Sequence, residues 1–317
     1  MNVDVAIVGG GVIGCAVAHY LAKAGARVAI IERAQVGRGA SAANSGVISL
    51  ATKKPGLALD LALVSQQMFP ALSAELGYDV EYLVEGGMII AESETQAAFL
   101  DELVAAQRAD GAAIEMIDAA RARTLNPLLE GRVLSASYCP TDAQTNPFKL
   151  TQGYARSAEK YGAVILHDTE VEAIEVAGGR VTSVRTSKGE IRTRWVVNAA
   201  GAYAGEVGRM AGVEDEIIPR RGQIVILEAT DNLPGIRVSS AGSLVAKHQG
   251  SAQSINAAFA YTRKTLSGTV MLGGTNEFAG FDTGTTQAAI GEICRLAMRA
   301  MPSLGRLNAL RSWAGLR

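Results

Sequence analysis

Few cysteines, few histidines and no excess of either charge distinguish this 317-residue chain. Cys15, Cys139 and Cys294 are scattered and odd in number, which excludes CxxC metal or iron–sulfur spacing and points to reduced packing thiols. Lys and Arg total 30 against 31 Asp and Glu, and neither sign forms a block. That balance excludes the electrostatic footprint of a nucleic-acid or anionic-membrane binder, leaving a small molecule or a protein as partner. Apolar stretches are interrupted too early for an integral membrane segment, and Met1 and Asn2 lead directly into a strand with no basic leader; a cytoplasmic location is the expectation. No internal repeat, low-complexity tract, metal-ligand cluster or obvious catalytic dyad is present. His19 lies in the first helical stretch, His167 ends a strand, and His248 sits in a turn-like Lys247-His248-Gln249-Gly250 segment, from which it could reach a site.

What is present begins at once. An apolar run from Val3 to Val8 leads into Gly9, Gly11 and Gly14, an Ala-rich helical stretch follows, and a second strand from Arg27 to Ile31 ends on Glu32. This is a dinucleotide-binding βαβ unit. Gly9 allows the tight turn, Gly11 lets backbone approach a pyrophosphate, Gly14 lets helix pack on strand, and Glu32 can accept hydrogen bonds from ribose hydroxyls. With 48% hydrophobic residues the chain can bury large cores, and two domains are expected.

The stretch Gly37 to Gly46 is small and polar, a loop suited to close backbone approach. Helical spacing marks Leu57 to Leu76, Glu94 to Asp110, Asp118 to Leu125 and Phe148 to Tyr161, the last opened by Pro147. Strands are expected at 86–91, 163–167, 171–176 and 180–186, and Trp195 to Gly201 reads as a buried strand returning to the first domain. From Glu216 the pattern turns β-rich, with strands expected at 217–227, 236–247, 257–263 and 269–273 before a helix from Thr286 to Met301. Trp195 and Trp313 are expected as core anchors. The architecture is therefore α/β: a Rossmann-like nucleotide-binding domain (1–50, 143–215 and 305–317), a connecting helical segment (51–79), and an inserted antiparallel sheet forming a substrate domain (80–142 and 216–304). The long loop and late return suit an extended, permanently held cofactor, and FAD is preferred to a nicotinamide nucleotide.

Several motifs together resemble the D-amino-acid oxidase superfamily of FAD enzymes. They are the Gly9-x-Gly11-x-x-Gly14 turn, the Ala40-Ser41 to Ser45-Gly46-Val47 loop, Asp142 to Pro147, and Asn198-Ala199-Ala200-Gly201. Pro219-Arg220-Arg221-Gly222-Gln223, Gly273-Gly274-Thr275-x-Glu277 and Trp313-Ala314-Gly315-Leu316-Arg317 complete the set. The chain looks closest to the glycine oxidase, sarcosine oxidase beta, hydrogen cyanide synthase and opine or hydroxyproline dehydrogenase branch. The resemblance covers essentially the whole chain and is poorly specific for substrate.

It implies that Val12 and Ile13 sit by the pyrophosphate and Glu32 and Arg33 by the adenosine. Ala40, Ser41, Asn44, Ser45, Gly46 and Val47 would line pyrophosphate and flavin, the Val171 backbone would meet the adenine, and Ala200 and Gly201 would complete the cofactor site. Arg317 matches the arginine that pairs with a substrate carboxylate, a role suited to its two parallel donors; Arg263 and Tyr261 are further candidates on the later sheet. The implied reaction oxidises a carbon–nitrogen bond next to a carboxylate in a small amino acid or secondary amine, of glycine, D-amino-acid, sarcosine, hydroxyproline or opine type. Hydride passes to flavin N5, and oxygen or a protein or quinone acceptor takes the electrons onward. Two alternatives stay open: a 2-hydroxy acid or glycerol-phosphate dehydrogenase, which more basic residues would favour, and a non-catalytic flavin subunit of a hetero-oligomeric dehydrogenase. Family members continue past the position of Arg317 to a last helix, so the sequence is expected to be part of a longer protein.

Overall fold

A computed structural model describes residues 1–248 and 261–317. The βαβ unit forms as the glycine spacing requires, with β1 (Val5–Val8), α1 (Val12–Lys23) and β2 (Val28–Ile31). Next come α2 (Ala40–Ala43), β3 (Val47–Ile48), α3 (Leu57–Leu76), β4 (Leu83–Val84), β5 (Gly87–Ala91), α4 (Glu94–Ala109), β6 (Glu115–Asp118) and α5 (Ala119–Leu125). The middle of the chain holds β7 (Ser135–Cys139), β8 (Ala143–Gln144), α6 (Pro147–Lys160), β9 (Val164–Leu166), β10 (Val171–Ala177), β11 (Arg180–Thr186), β12 (Gly189–Arg192), β13 (Trp195–Asn198) and α7 (Ala204–Met210). It closes with β14 (Arg221–Ala229), β15 (Arg237–Ser240), α8 (Ala241–His248), β16 (Tyr261–Lys264), β17 (Thr269–Gly273), α9 (Gln287–Ala300) and β18 (Ala309–Leu316).

A parallel sheet in the order β13-β1-β2-β9 is buried on both faces, which is why its two central strands read as unbroken apolar runs. Ile7 and Ile30 pack against Cys15 and Ala18 of α1 and Ala155 and Ala158 of α6. Ala6, Val8, Ala29 and Ile31 pack on the other side against Val171, Ile174, Val184 and Ile191 of the three-stranded sheet β10-β11-β12. The α6 helix starts where Asn146 Oδ1 accepts from Phe148 N and Lys149 N, with Pro147 in the first turn where no amide is needed.

A second sheet has eight strands in the order β18-β14-β17-β16-β15-β5-β7-β6, antiparallel except for the β15–β5 pair. Its residues alternate between faces. Met88, Ile90, Val225, Leu227, Val238, Val270 and Leu272 face a core with Ile293 and Ala297 of α9. The alternate residues of β14, β16 and β17, among them Ile224, Ile226, Tyr261 and Met271, form a separate small cluster with Trp313.

Several expectations need correction. The strand expected at 236–247 ends at Ser240, and the chain turns into α8, whose eight residues are too few for their spacing to tell helix from strand in the sequence. Of the strand expected at 257–263, residues 257–260 lie outside the described residues, and β16 begins at Tyr261. Trp195 is not a core anchor: it is 68% exposed, because β13 is the edge of the parallel sheet among the described residues. Residues 309–316, grouped above with the nucleotide-binding part, hydrogen-bond along β14 at the edge of the eight-stranded sheet.

Candidate functional site

At the βαβ turn Gly9 has φ +109°, and a Cβ there would stand 2.4 Å from the Ala199 carbonyl oxygen. A Cβ on Gly14 would stand 2.0 Å from the Gly9 carbonyl oxygen, so helix and strand meet only because both residues lack side chains. The Glu32 carboxylate is fixed at the end of β2, accepting from Gly10 N at 2.7 Å and Ala34 N at 2.9 Å. Ser41 Oγ accepts from Val12 N at 2.9 Å, so the loop after β2 touches the first turn of α1, where Ile13 is 66% exposed. The Arg33 guanidinium lies over the Tyr203 ring, 3.8 Å from its centre. Val171 opens β10 two residues after Thr169, whose N donates to Glu32 O at 2.9 Å, so its backbone is held beside the acid.

These parts fit FAD. The exposed amino-terminal turn of a twelve-residue helix presents backbone donors and a positive dipole end to a pyrophosphate, glycines leave room for it, and Glu32 stands where a ribose would be read. Gly10, Ala34 and Tyr203 join the expected set as neighbours of Glu32 and Arg33; Gly10 lay inside the motif, whereas only the fold brings Tyr203 close. The loop continues toward the second sheet. Asn44 fixes it, its amide donating to Ser41 O at 2.8 Å and its Oδ1 accepting from Gly46 N at 2.7 Å. Gly46 has φ +69°, and a Cβ there would meet the Thr145 carbonyl oxygen at 2.2 Å, while Val47 pairs with Gln144. Ala200 and Gly201 flank the turn at the end of β13, beside Gly9.

Between this loop and the sheet lies a cavity of about 760 Å³. Ala42, Asn44 and Ser45 line one side; Ile226, Met271, Arg263 and Trp313 line the other. Trp313 Nε1 donates to Ala43 O at 3.1 Å, and Gly315 lacks the Cβ that would strike Ala43, so β18 sits directly on α2. Trp313 is therefore a wall of the cavity as well as an anchor.

Tyr261 lies across Gly273, where a Cβ would come within 2.3 Å of its ring. Burial pushes its phenol up, against the hydrogen bond to Ser45 and the charges of Arg263, Arg317 and Arg237. Arg317 lies over Gly222, where a Cβ would meet its guanidinium at 2.5 Å, and its Nη1 donates to Thr275 O at 3.0 Å and Asn276 Oδ1 at 2.9 Å. Arg263 is buried, lines the cavity, and donates through Nη1 to Gln144 Oε1; Gln144 Nε2 donates in turn to Glu85 Oε2 and, at 3.2 Å, to Lys264 O. Burial raises the Glu85 carboxyl to about 7, opposed by Arg263 and Gln144.

Among the described residues neither Arg317 nor Arg263 pairs with an acidic side chain. The buried arginines of this sheet besides Arg263 do. Arg221 meets Glu277 at 2.6 Å and also Asp282; Arg237 meets Asp142 at 2.5 Å. Burial pushes Glu277 up, but hydrogen bonds from Thr275, Arg221 and Gln223 outweigh it and hold the carboxyl low. Asp142 also accepts from Ser49 Oγ at 2.6 Å and Leu50 N at 2.9 Å, tying the strand after the loop to β15. The structure thus gathers Arg317, Tyr261, Arg263 and Ser45 around one region. It does not bring Arg317 into the lining of the large cavity, and His248 ends α8 with its side chain outside the described residues. Sequence reading missed Gln144 and Glu85. Gln144 lay inside the Asp142 to Pro147 motif; Glu85 carried no signal.

Comparison with known proteins agrees with this geometry. A family model described as "FAD dependent oxidoreductase" (DAO) matches residues 4–317. Glycine oxidase of Geobacillus kaustophilus is 30% identical over 99% of this chain and 81% of its own length. Hydrogen cyanide synthase subunit HcnC of Pseudomonas protegens is 28% identical, with 99% and 81% covered. Among solved structures, glycine oxidase from Geobacillus kaustophilus superposes with a TM-score of 0.89 at 27% identity, covering 100% of this chain and 82% of that one. L-proline dehydrogenase from P. horikoshii gives 0.87 at 26%, covering 99% and 80%.

Proposed function

We propose, from the premise that the chain belongs to the DAO family of FAD-dependent oxidoreductases, that it oxidises the carbon–nitrogen bond of a small amino acid or secondary amine carrying a carboxylate. FAD is the cofactor of this family, and among the described residues no helix is long and apolar enough to cross a membrane. The observation carrying the substrate reading is Arg317: a guanidinium held over Gly222 beside Tyr261, with carbonyl and amide partners and no acidic side chain among the described residues. A carboxylate is the ligand that a planar fork of donors fixes in both position and plane.

When bound, FAD supplies the two-electron oxidant for the C–H beside the nitrogen. The residues named for it above, from Gly9 to Gly14, at Glu32 and Arg33, from Ala40 to Val47, at Val171 and at Ala200 and Gly201, would hold it. The chain's task is placement: Arg317 fixes the acid end, Tyr261 bounds the site across Gly273, and Ile226, Met271 and Trp313 give the neighbouring cavity an apolar wall. An amine that binds neutral needs no general base, since loss of the carbon's hydrogen with its electron pair, as hydride to the oxidant, and of a nitrogen proton to water would leave an imine, which water hydrolyses to a carbonyl compound and ammonia or an amine. We assign the eight-stranded sheet to the substrate unit and the parallel sheet to the nucleotide unit. A cytoplasmic setting is our reading from the few, scattered and odd-numbered cysteines. Electrons leave to oxygen or to a partner subunit or quinone, a hetero-oligomer being suggested by the relative named as a synthase subunit.

The test is anaerobic titration of the FAD-loaded protein with amino acids, N-substituted glycines, opines and hydroxy acids while flavin absorbance is followed. Bleaching by an amine class is expected. Bleaching by hydroxy acids alone, or by nothing, would overturn the reading. Arg317→Ala should raise the half-saturating concentration of a carboxylate substrate about tenfold or more.

A further inference from the structure

We propose that Arg263 holds a second acid group of the substrate, so that the preferred substrate is an amine bearing two carboxylates. This rests on the amine-oxidising reading above and names the class of amine.

A buried cation costs much free energy unless it is paired. Three arginines of the eight-stranded sheet are at most 7% exposed, namely Arg221, Arg237 and Arg263. The first two are neutralised by carboxylates, by Glu277 and Asp282 and by Asp142. Among the described residues, Arg263 has only the neutral oxygen of Gln144 on Nη1, and its buried Nε has no partner. It is also the one of the three that lines the cavity. An anion entering from the cavity would complete it.

Position sets the shape of that ligand. Tyr261 and Arg263 are two residues apart on β16 and so share a face, about 7 Å apart along the strand. The charge of Arg317 also acts on Tyr261. Tyr261 overlies Gly273 and Arg317 overlies Gly222 of the neighbouring strands, so one face of the sheet carries Arg263, Tyr261 and Arg317, and a ligand with an acid at each end and nitrogen between them satisfies both guanidinium groups, which lack acidic partners among the described residues. The group at Arg263 is a carboxylate rather than a phosphate: one guanidinium with Glu85 beyond Gln144 suits a single negative charge and would oppose a second.

The probes are two acids that lack an oxidisable C–N bond, thiodiacetate and (methylthio)acetate, alike except for the second carboxylate. Calorimetric titration of the FAD-loaded full chain should give thiodiacetate at least about tenfold tighter binding. Arg263→Met should bring the ratio toward one, and Arg263→Lys should restore part of it; flavin content and circular dichroism check that each variant is folded. Equal binding of the two acids by the unaltered protein, or a preference that survives Arg263→Met, would overturn the proposal, and the first outcome needs no variant. Flavin reduction by N-methylglycine and iminodiacetate separates the two readings. If N-methylglycine bleaches the flavin and thiodiacetate has no advantage, only the two-acid inference fails; if no amine bleaches it, the amine reading fails with it.

Discussion

Around Gly9 to Gly14 the protein presents backbone to its ligand, and around Tyr261 to Arg263 it presents long side chains. The first region achieves contact by omission: a methyl group on Gly9 or Gly14 would lie within 2.4 Å of a carbonyl oxygen. The second uses glycine for the opposite purpose. Gly222 and Gly273 are floors on which Arg317 and Tyr261 lie flat, so a missing side chain on one strand positions a present one on another. A nucleotide common to many enzymes is met by features that carry no substrate information, whereas the reading proposed above places selectivity in the few cations on the sheet.

Breaking the first region should have the largest effect. Gly14→Ala puts a methyl group 2.0 Å from the Gly9 carbonyl oxygen, a backbone atom that cannot swing away. It should destabilise the nucleotide unit by about 3 kcal/mol and yield protein with little bound flavin, read from the absorbance ratio of the purified protein and its thermal unfolding. Retention of full flavin content would erase the contrast drawn here. Gly222→Ala sharpens it. The nearest atoms to the new methyl group are the far end of the flexible Arg317 side chain, so the fold should survive while the guanidinium moves. The KM for a carboxylate substrate should rise about tenfold with the melting temperature within a few degrees of the original. Steady-state kinetics showing an unchanged KM would remove Arg317 from the site.

The smallest effect concerns pH. Glu85 has its carboxyl raised to about 7 by burial, so between about pH 4.5 and 7 the folded chain binds more protons than the unfolded one. Stability from this group is present below the unfolded value and is lost as pH rises through about 7. Glu85→Gln should flatten that decline by less than about 1 kcal/mol, since the group is only partly buried and solvent screens it. Denaturant midpoints at pH 5 and pH 8 measure it, and an unflattened difference would place the titration elsewhere.

The nucleotide region was legible because its parts are contiguous: turn, helix, strand and acid fall within Val3 to Glu32. Arg317 was legible only through the motif it ends. Arg263 could be placed on a strand but not ranked, because its standing depends on what fails to pair with it, and Gln144 lies 119 residues away in sequence. Glu85 is linked to it by hydrogen bonds through that amide. Trp195 was misread because whether a strand lies at an edge is a property of sheet order, not of the residues within it. The helix after Ser240 was missed because the eight residues of α8 are too few for a helical period to stand out from a strand pattern, even with Gly242 and Ser243 interrupting the apolar run.

Asp142 stitches three places at once: the hydroxyl of Ser49, the amide of Leu50 and the guanidinium of Arg237. Loss of either charge would strand the other in a dry interior at a cost of about 3 to 5 kcal/mol. A hinge at that point would have to break this clasp at every turnover. Phe148 and Leu266, both exposed, line the cavity, and movement there would leave that clasp shut.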